Sequence, residues 1–142
     1  MNTTTSAAIC IIGLLAASSF RYIGTQQDRV INDRDIKLVN FEDLAYPTLG
    51  RTAHVQGVVV LRVKLDDQGK VADAIAISGA EALIPDSLAN AKKWRFQPNA
   101  QNAAVIVYNF RLTGWISKSG CSQFMLEPPN FATITGCVSQ IQ

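Results

Sequence analysis

The chain has 142 residues, a formal net charge of +2, 48% apolar and 17% charged residues, and three cysteines. That length holds one domain, or one domain with a leader, and excludes an enzyme built from separate cofactor and substrate domains. The nearly balanced charge excludes a disordered chain and a dedicated nucleic-acid binder. Nine glycines, five prolines and one long apolar run exclude collagen-like, coiled-coil and multi-span membrane architectures.

The apolar run comes first. Ala7 to Phe20 reads AAICIIGLLAASSF, with no charge before Arg21. Its heart, Ala7 to Ala17, suits a secretory core of roughly 7–15 residues better than a membrane span of roughly 20. At about 1.5 Å per residue it is shorter than a bilayer core of about 30 Å. Residues 1–20 are therefore expected to be a signal peptide, with Ala17 and Ser19 permitting cleavage before Phe20, or else a short membrane anchor. Met1 to Ser6 lacks the Lys or Arg that an export signal usually carries. Residues 21–45, polar and charged through NDRD and FED, read as a linker with at most a short helical turn.

Cys10 lies inside the leader, which leaves Cys121 and Cys137 for the mature chain. Both follow glycine, and their separation matches neither a metal site nor a CxxC redox pair. In an exported chain a disulfide between them is expected, worth roughly 3 kcal/mol in the chain-entropy description. The competing reading is two unpaired small core residues.

From Tyr46 the periodic signals sharpen. Pro47 suits a first helical position, Leu49, Ala53 and Val55 share one side, and Gly57 ends a short helix. Gly57 to Ser78 then holds two alternating runs. Val59, Leu61, Val63 and Leu65 face one way and Arg62 and Lys64 the other, while the second run aligns Val71, Ile75 and Ile77, interrupted by Asp73. Asp66, Asp67, Gln68 and Gly69 between them predict a hairpin turn. The Asp pair reads as turn-capping acceptors in preference to acid/base catalysts, since nothing nearby desolvates it.

EALIPDSLANAKKWRFQP follows as an amphipathic helix, with Pro85 and Asp86 at its start, Leu88, Ala91 and Trp94 on one face, and Pro98 as its stop. Lys92, Lys93 and Arg95 match helix-end electrostatics better than an anion or nucleic-acid patch. The last run puts Ile106, Tyr108, Phe110 and Leu112 on one face and Val105, Val107, Asn109 and Arg111 on the other. The order strand, strand, helix, strand predicts an α+β fold: a three-stranded antiparallel sheet packed by helices on one face. Trp94 and Phe96, between helix and sheet, read as core aromatics.

No catalytic pattern is present. His54 is the one histidine, there is no metalloprotease, nucleophile-elbow, Walker or Rossmann motif, and Cys121 and Cys137 lack a thiol-activating setting. No enzyme activity, metal or cofactor is expected.

From Tyr46 to Leu112, about 67 residues, the chain resembles the C-terminal domain of the TonB energy-transducer family. The motifs are Tyr46-Pro47 before the first helix, Gly57, Val59 and Val63 at the first strand, and Asp66, Gly69 and Val71 in the hairpin. Trp94, Arg95, Phe96 and Pro98 at the helix end and the final alternating strand complete them. The resemblance implies a periplasmic or inner-membrane-anchored protein of a Gram-negative bacterium. It implies a module that adds a short peptide of an outer-membrane transporter, or of another envelope protein, to an exposed sheet edge. On that basis the third strand is the peptide-binding edge, carried by Val105, Val107, Asn109 and Arg111.

Two departures accompany the match. No histidine lies in the leader and no proline precedes Pro47, so the motor anchor and proline-rich spacer usual in the family are not expected here. Phe20 to Tyr46 spans at most about 90 Å when fully extended. The domain, 46–113, is also followed by an extension, 114–142, whose two apolar stretches flank Pro128-Pro129 between the cysteines. It is expected to form a disulfide-tied hairpin that pairs with or folds over the third strand. The alternative function is a structural or self-associating envelope protein, with a homodimer among its forms.

Overall fold

The computed structural model describes residues 33–114 and 121–138. The expected leader, and the first part of the expected linker, lie outside the described residues. Within them, strand β1 (Leu38–Asn40), helix α1 (Thr48–Thr52), β2 (Gly57–Leu65), β3 (Val71–Ser78), helix α2 (Ile84–Ala91), β4 (Arg95–Phe96), β5 (Ala103–Thr113), β6 (Ser122–Glu127) and β7 (Phe131–Cys137) follow in order. β1 pairs with β4, and the other strands form one sheet in the order β3-β2-β5-β7-β6.

The α+β class and the strand-strand-helix-strand core match the sequence expectation, but the sheet has five strands where three were expected. The C-terminal extension supplies the other two. β6 and β7 form an antiparallel hairpin, and β7 then lies parallel to β5 from Val107↔Phe131 to Thr113↔Cys137. The sheet is mixed, and Cys121 and Cys137 form the expected disulfide across the open end of the hairpin.

The alternation of β2 and β5 is as expected. Val59, Leu61 and Val63 are fully buried, as are Ile106 and Tyr108, with Phe110 nearly so. β3 departs from it. Lys64 lies opposite Asp73 and Leu65 opposite Val71, so a bulge at Ala72 reverses the alternation. Val71 is buried with the core, whereas Ile75 and Ile77 sit on the other face, each 52% exposed.

The short helix also starts and packs differently from its sequence pattern. Pro47 is its N-cap, and Leu49 is 67% exposed, because a five-residue helix is too short to bury a stripe. It packs through Gly50, beside Leu83 and Tyr46. Residues 33–45, expected as linker, cover the inner face of the sheet: Ile36 is 3% exposed, and Leu38, Phe41 and Leu44 pack against the core.

Candidate functional site

The family motifs converge on a few tight contacts. In the hairpin turn, Asp66 Oδ1 accepts from the N–H groups of Gln68 and Lys70, both at 2.9 Å. This is the turn-capping role expected of it. Gly69 has φ 78°, and a Cβ there would collide with the Phe96 carbonyl oxygen. Only glycine therefore lets the hairpin tip meet β4, where the Phe96 N–H donates to Gly69 O at 2.8 Å and Arg95 Nε to Gln68 O at 3.2 Å. Pro98 lies beside the same turn, and Gly57 opens β2 with φ 138°.

Trp94 and Phe96, 1% and 0% exposed, are core residues as expected. They adjoin a buried polar knot that sequence reasoning missed. Asn90 Oδ1 accepts from Trp94 Nε1 at 2.9 Å and from the Tyr108 hydroxyl at 2.7 Å. Asn90 Nδ2 donates to the carbonyls of Glu42 and Asp43 at 3.0 and 3.2 Å. All four hydrogen-bonding positions of the amide are used, joining α2, β5 and the chain before α1. The available signal was a polar residue four before Trp94 on the buried face of an amphipathic helix. Burial pushes the Tyr108 hydroxyl far above its ordinary range.

Two of the three cations after α2 are engaged locally. Lys93 Nζ pairs with Glu42 at 2.9 Å, and Arg95 holds the hairpin turn. His54 has a positive φ of 55° just after α1. Among the described residues, no group of three or more His, Cys, Asp or Glu is placed to hold a metal ion, and no helix is long and apolar enough to cross a membrane.

The strand expected to be the peptide edge is not an outermost strand of the sheet. Val105, Val107, Asn109 and Arg111 do share one face of β5, with Arg111 exposed and the others half-buried. Their strand, however, is interior, with β2 on one side and β7 on the other. The Val107 N–H already donates to Asn130 O at 2.9 Å, and β7 pairs β5 from there to Thr113. The physical reason is the one the extension suggested: an open edge next to an apolar hairpin is closed by it.

That closure is part of the core. Ala132 and Ile134 are fully buried, and Phe124 stacks on Phe41 at 5.8 Å, which in turn meets Trp94 at 5.9 Å. Tyr46, whose N–H donates to Ser122 Oγ and whose hydroxyl donates to Val55 O, packs edge-on against Phe110. The motif tyrosine thus bridges domain and extension. Among the described residues, the outermost strands of the five-stranded sheet are β3 and β6, and β5 before Val107 has no partner strand on its β7 side.

No curated protein and no solved structure matches the chain. The family model described as "Gram-negative bacterial TonB protein C-terminal" matches residues 42–112, from the segment that feeds Asn90 to the end of the inward row on β5. With half of its length matched, and with the matched motifs forming the contacts just described, the chain belongs to the TonB C-terminal family.

Proposed function

We propose that this protein is an envelope protein-binding module of the TonB type, associated with outer-membrane transport, which takes up an extended segment of a partner by strand addition. The observation that supports the reading most is the family match over residues 42–112, together with a sheet that ends in a strand lacking a neighbour. Strand addition needs a row of unpaired backbone groups, and side chains beside it supply selectivity. Because β7 fills the side of β5 from Val107 onward, the partner strand adds to β6, two strands further out. The inner side of β6 carries Phe124, stacked on Phe41, and Leu126, both half-buried against the core, as an apolar shelf for alternate side chains of the guest.

The partner in this reading is a peptide of an outer-membrane transporter or another envelope protein, and the location is the periplasm, free or anchored at the inner membrane. A second reading, a structural or self-associating envelope protein, is favoured by the β7 strand on β5. The test is a photo-crosslinking amino acid at Gln123, exposed on β6, or at Ile75, exposed on β3, in the full chain in intact Gram-negative cells. Adducts from Gln123 that contain a terminal segment of an outer-membrane transporter, absent from Ile75, are expected. No transporter adduct from Gln123 overturns the reading.

A further inference from the structure

Helices α1 and α2 and residues 33–45 pack on the inner face of the sheet, where Tyr46, Leu83, Ala91 and Trp94 are buried. The outer face is apolar as well. Val58, Ile75, Ile77 and Met125 stand exposed on it. Between them Val60, Val107 and Phe131 lie side by side on β2, β5 and β7, each half-buried. A sheet face left to water is ordinarily polar, and a contiguous apolar stretch of this kind marks a surface that something covers.

Charge is grouped at one end of this face. Arg62 lies opposite Ile75 and Val105, and Lys64 opposite Asp73 and Ala103. These side chains line a groove together with Gln101 and Asn102. Gln101 also lines a second cavity, shared with Arg34, Asp35 and Lys37, and the Gln97 N–H donates to Lys37 O at 2.8 Å. The described chain therefore opens, at the 3-10 turn Asp33–Asp35, beside the outer-face groove.

We propose that residues 20–32 of this chain, the stretch between the leader and that turn, lie across the outer face as its cover. Length permits it: a stretch of this size reaches about 40 Å when extended, while five strands spaced at about 4.8 Å are about 19 Å wide. Composition suits it too. Asp28 is the one carboxylate of residues 1–32, and it comes shortly before the turn, within reach of Arg62 and Lys64; Arg29 beside it complements Asp73. Val30 and Ile31 then meet Ile75 and Val105 at the groove, and Tyr22 and Ile23 reach Val107 and Phe131 farther on. A segment tethered beside its own site is present there at high effective concentration, which favours it over a free partner of equal affinity. The inference is independent of the strand taken up at β6. It leaves that edge open and withdraws the outer face from the surfaces a partner can use.

The test places a photo-crosslinking amino acid at Val105, or as a control at Leu49, 67% exposed on α1, in the full-length chain. Light and heavy-nitrogen-labelled chains are mixed in equal amounts before irradiation. Trypsin cuts after Arg21, Arg29 and Arg34, and so releases the segment as fragments 22–29 and 30–34. Val105 should give adducts to these fragments, each of a single isotope, and Leu49 should give neither. The pair Val30→Asp, Ile31→Asp should lower the Val105 adduct about fivefold or more, because carboxylates held against an apolar face lose their water. The near-ultraviolet spectrum of the fold should stay unchanged. Adducts of mixed isotope, adducts only to another protein or to other parts of the chain, no adduct, or equal yield from Leu49 overturn the cover by the chain's own segment. A Val105 adduct that the two aspartates leave undiminished overturns it as well.

Discussion

The ring of Tyr46 lies so close to Gly136 that a Cβ at Gly136 would sit 2.6 Å from Tyr46 Cδ2 and 2.7 Å from Cγ. Tyr46 belongs to the family motif and Gly136 to the extension, so the contact joins the two parts of the chain. The colliding atoms are at the base of a ring held by its hydroxyl at Val55 O and its N–H at Ser122, so they cannot simply swing away. Gly136→Ala should therefore destabilise the fold by about 1–3 kcal/mol, the usual cost of overpacking. Thermal unfolding of the two chains checks this, and equal midpoints would mean that β7 does not seat against Tyr46.

Much of this arrangement was legible before the structure. Strict alternation in β2 and β5 identified their buried rows, since a period of two has one solution once one face is apolar. The turn at Asp66 to Gly69 and the core places of Trp94 and Phe96 were equally clear. The interior place of β5 was half visible: the cysteines and the apolar runs around Pro128-Pro129 indicated a hairpin, and an open edge indicated where it could go. What could not be read was whether that hairpin paired along β5 or merely lay over it, since strand order is not written in periodicity. Two misreadings have local causes. The bulge at Ala72 shifts Ile75 and Ile77 to the outer face without a glycine or proline to mark it. Ile36, Leu38, Phe41 and Leu44 have no regular spacing because they cover a sheet from an irregular chain, and charged neighbours disguised them as linker.

The disulfide holds the extension at its open end. Cys121 and Cys137 join the start of β6 to the end of β7, with Cα atoms 5.1 Å apart and 16 positions apart in sequence. In the chain-entropy description a loop of that size is worth about 3 kcal/mol. The double variant Cys121→Ser, Cys137→Ser should lose about that much stability in urea unfolding. Loss of well under about 1 kcal/mol would show that the strand pairing alone holds the hairpin.

Asn90 concentrates four hydrogen bonds on one amide that is 4% exposed. Replacing it by Ala strands the Trp94 N–H and the Tyr108 hydroxyl in the core, each unsatisfied group costing about 1–3 kcal/mol. Asn90→Ala should cost about 3 kcal/mol or more, and Asn90→Asp should cost measurably as well because the carboxylate cannot donate to the Glu42 and Asp43 carbonyls. Denaturant unfolding of both variants checks this. Two neutral substitutions would mean that the knot contributes nothing to the fold.

Alkaline stability follows from the same knot. Burial raises the Tyr108 hydroxyl, and to a lesser degree that of Tyr46, above the ordinary value of 10.0, because an ionised phenol would lose its solvation in the core. Below about pH 10 both hydroxyls are protonated in the folded and unfolded chains alike, so they add no pH dependence. Above it the unfolded chain gives up these protons while the folded chain keeps them. The folded state is then penalised by up to about 1.4 kcal/mol per pH unit for each tyrosine, and stability falls as the pH rises toward the folded values. Tyr108→Phe should lose about 0.5–1.5 kcal/mol at neutral pH with its hydrogen bond to Asn90, yet show a shallower decline above pH 10. Urea unfolding of both chains from pH 7 to pH 11 tests the sign. Parallel alkaline slopes would show that the Tyr108 hydroxyl ionises as freely in the fold as outside it.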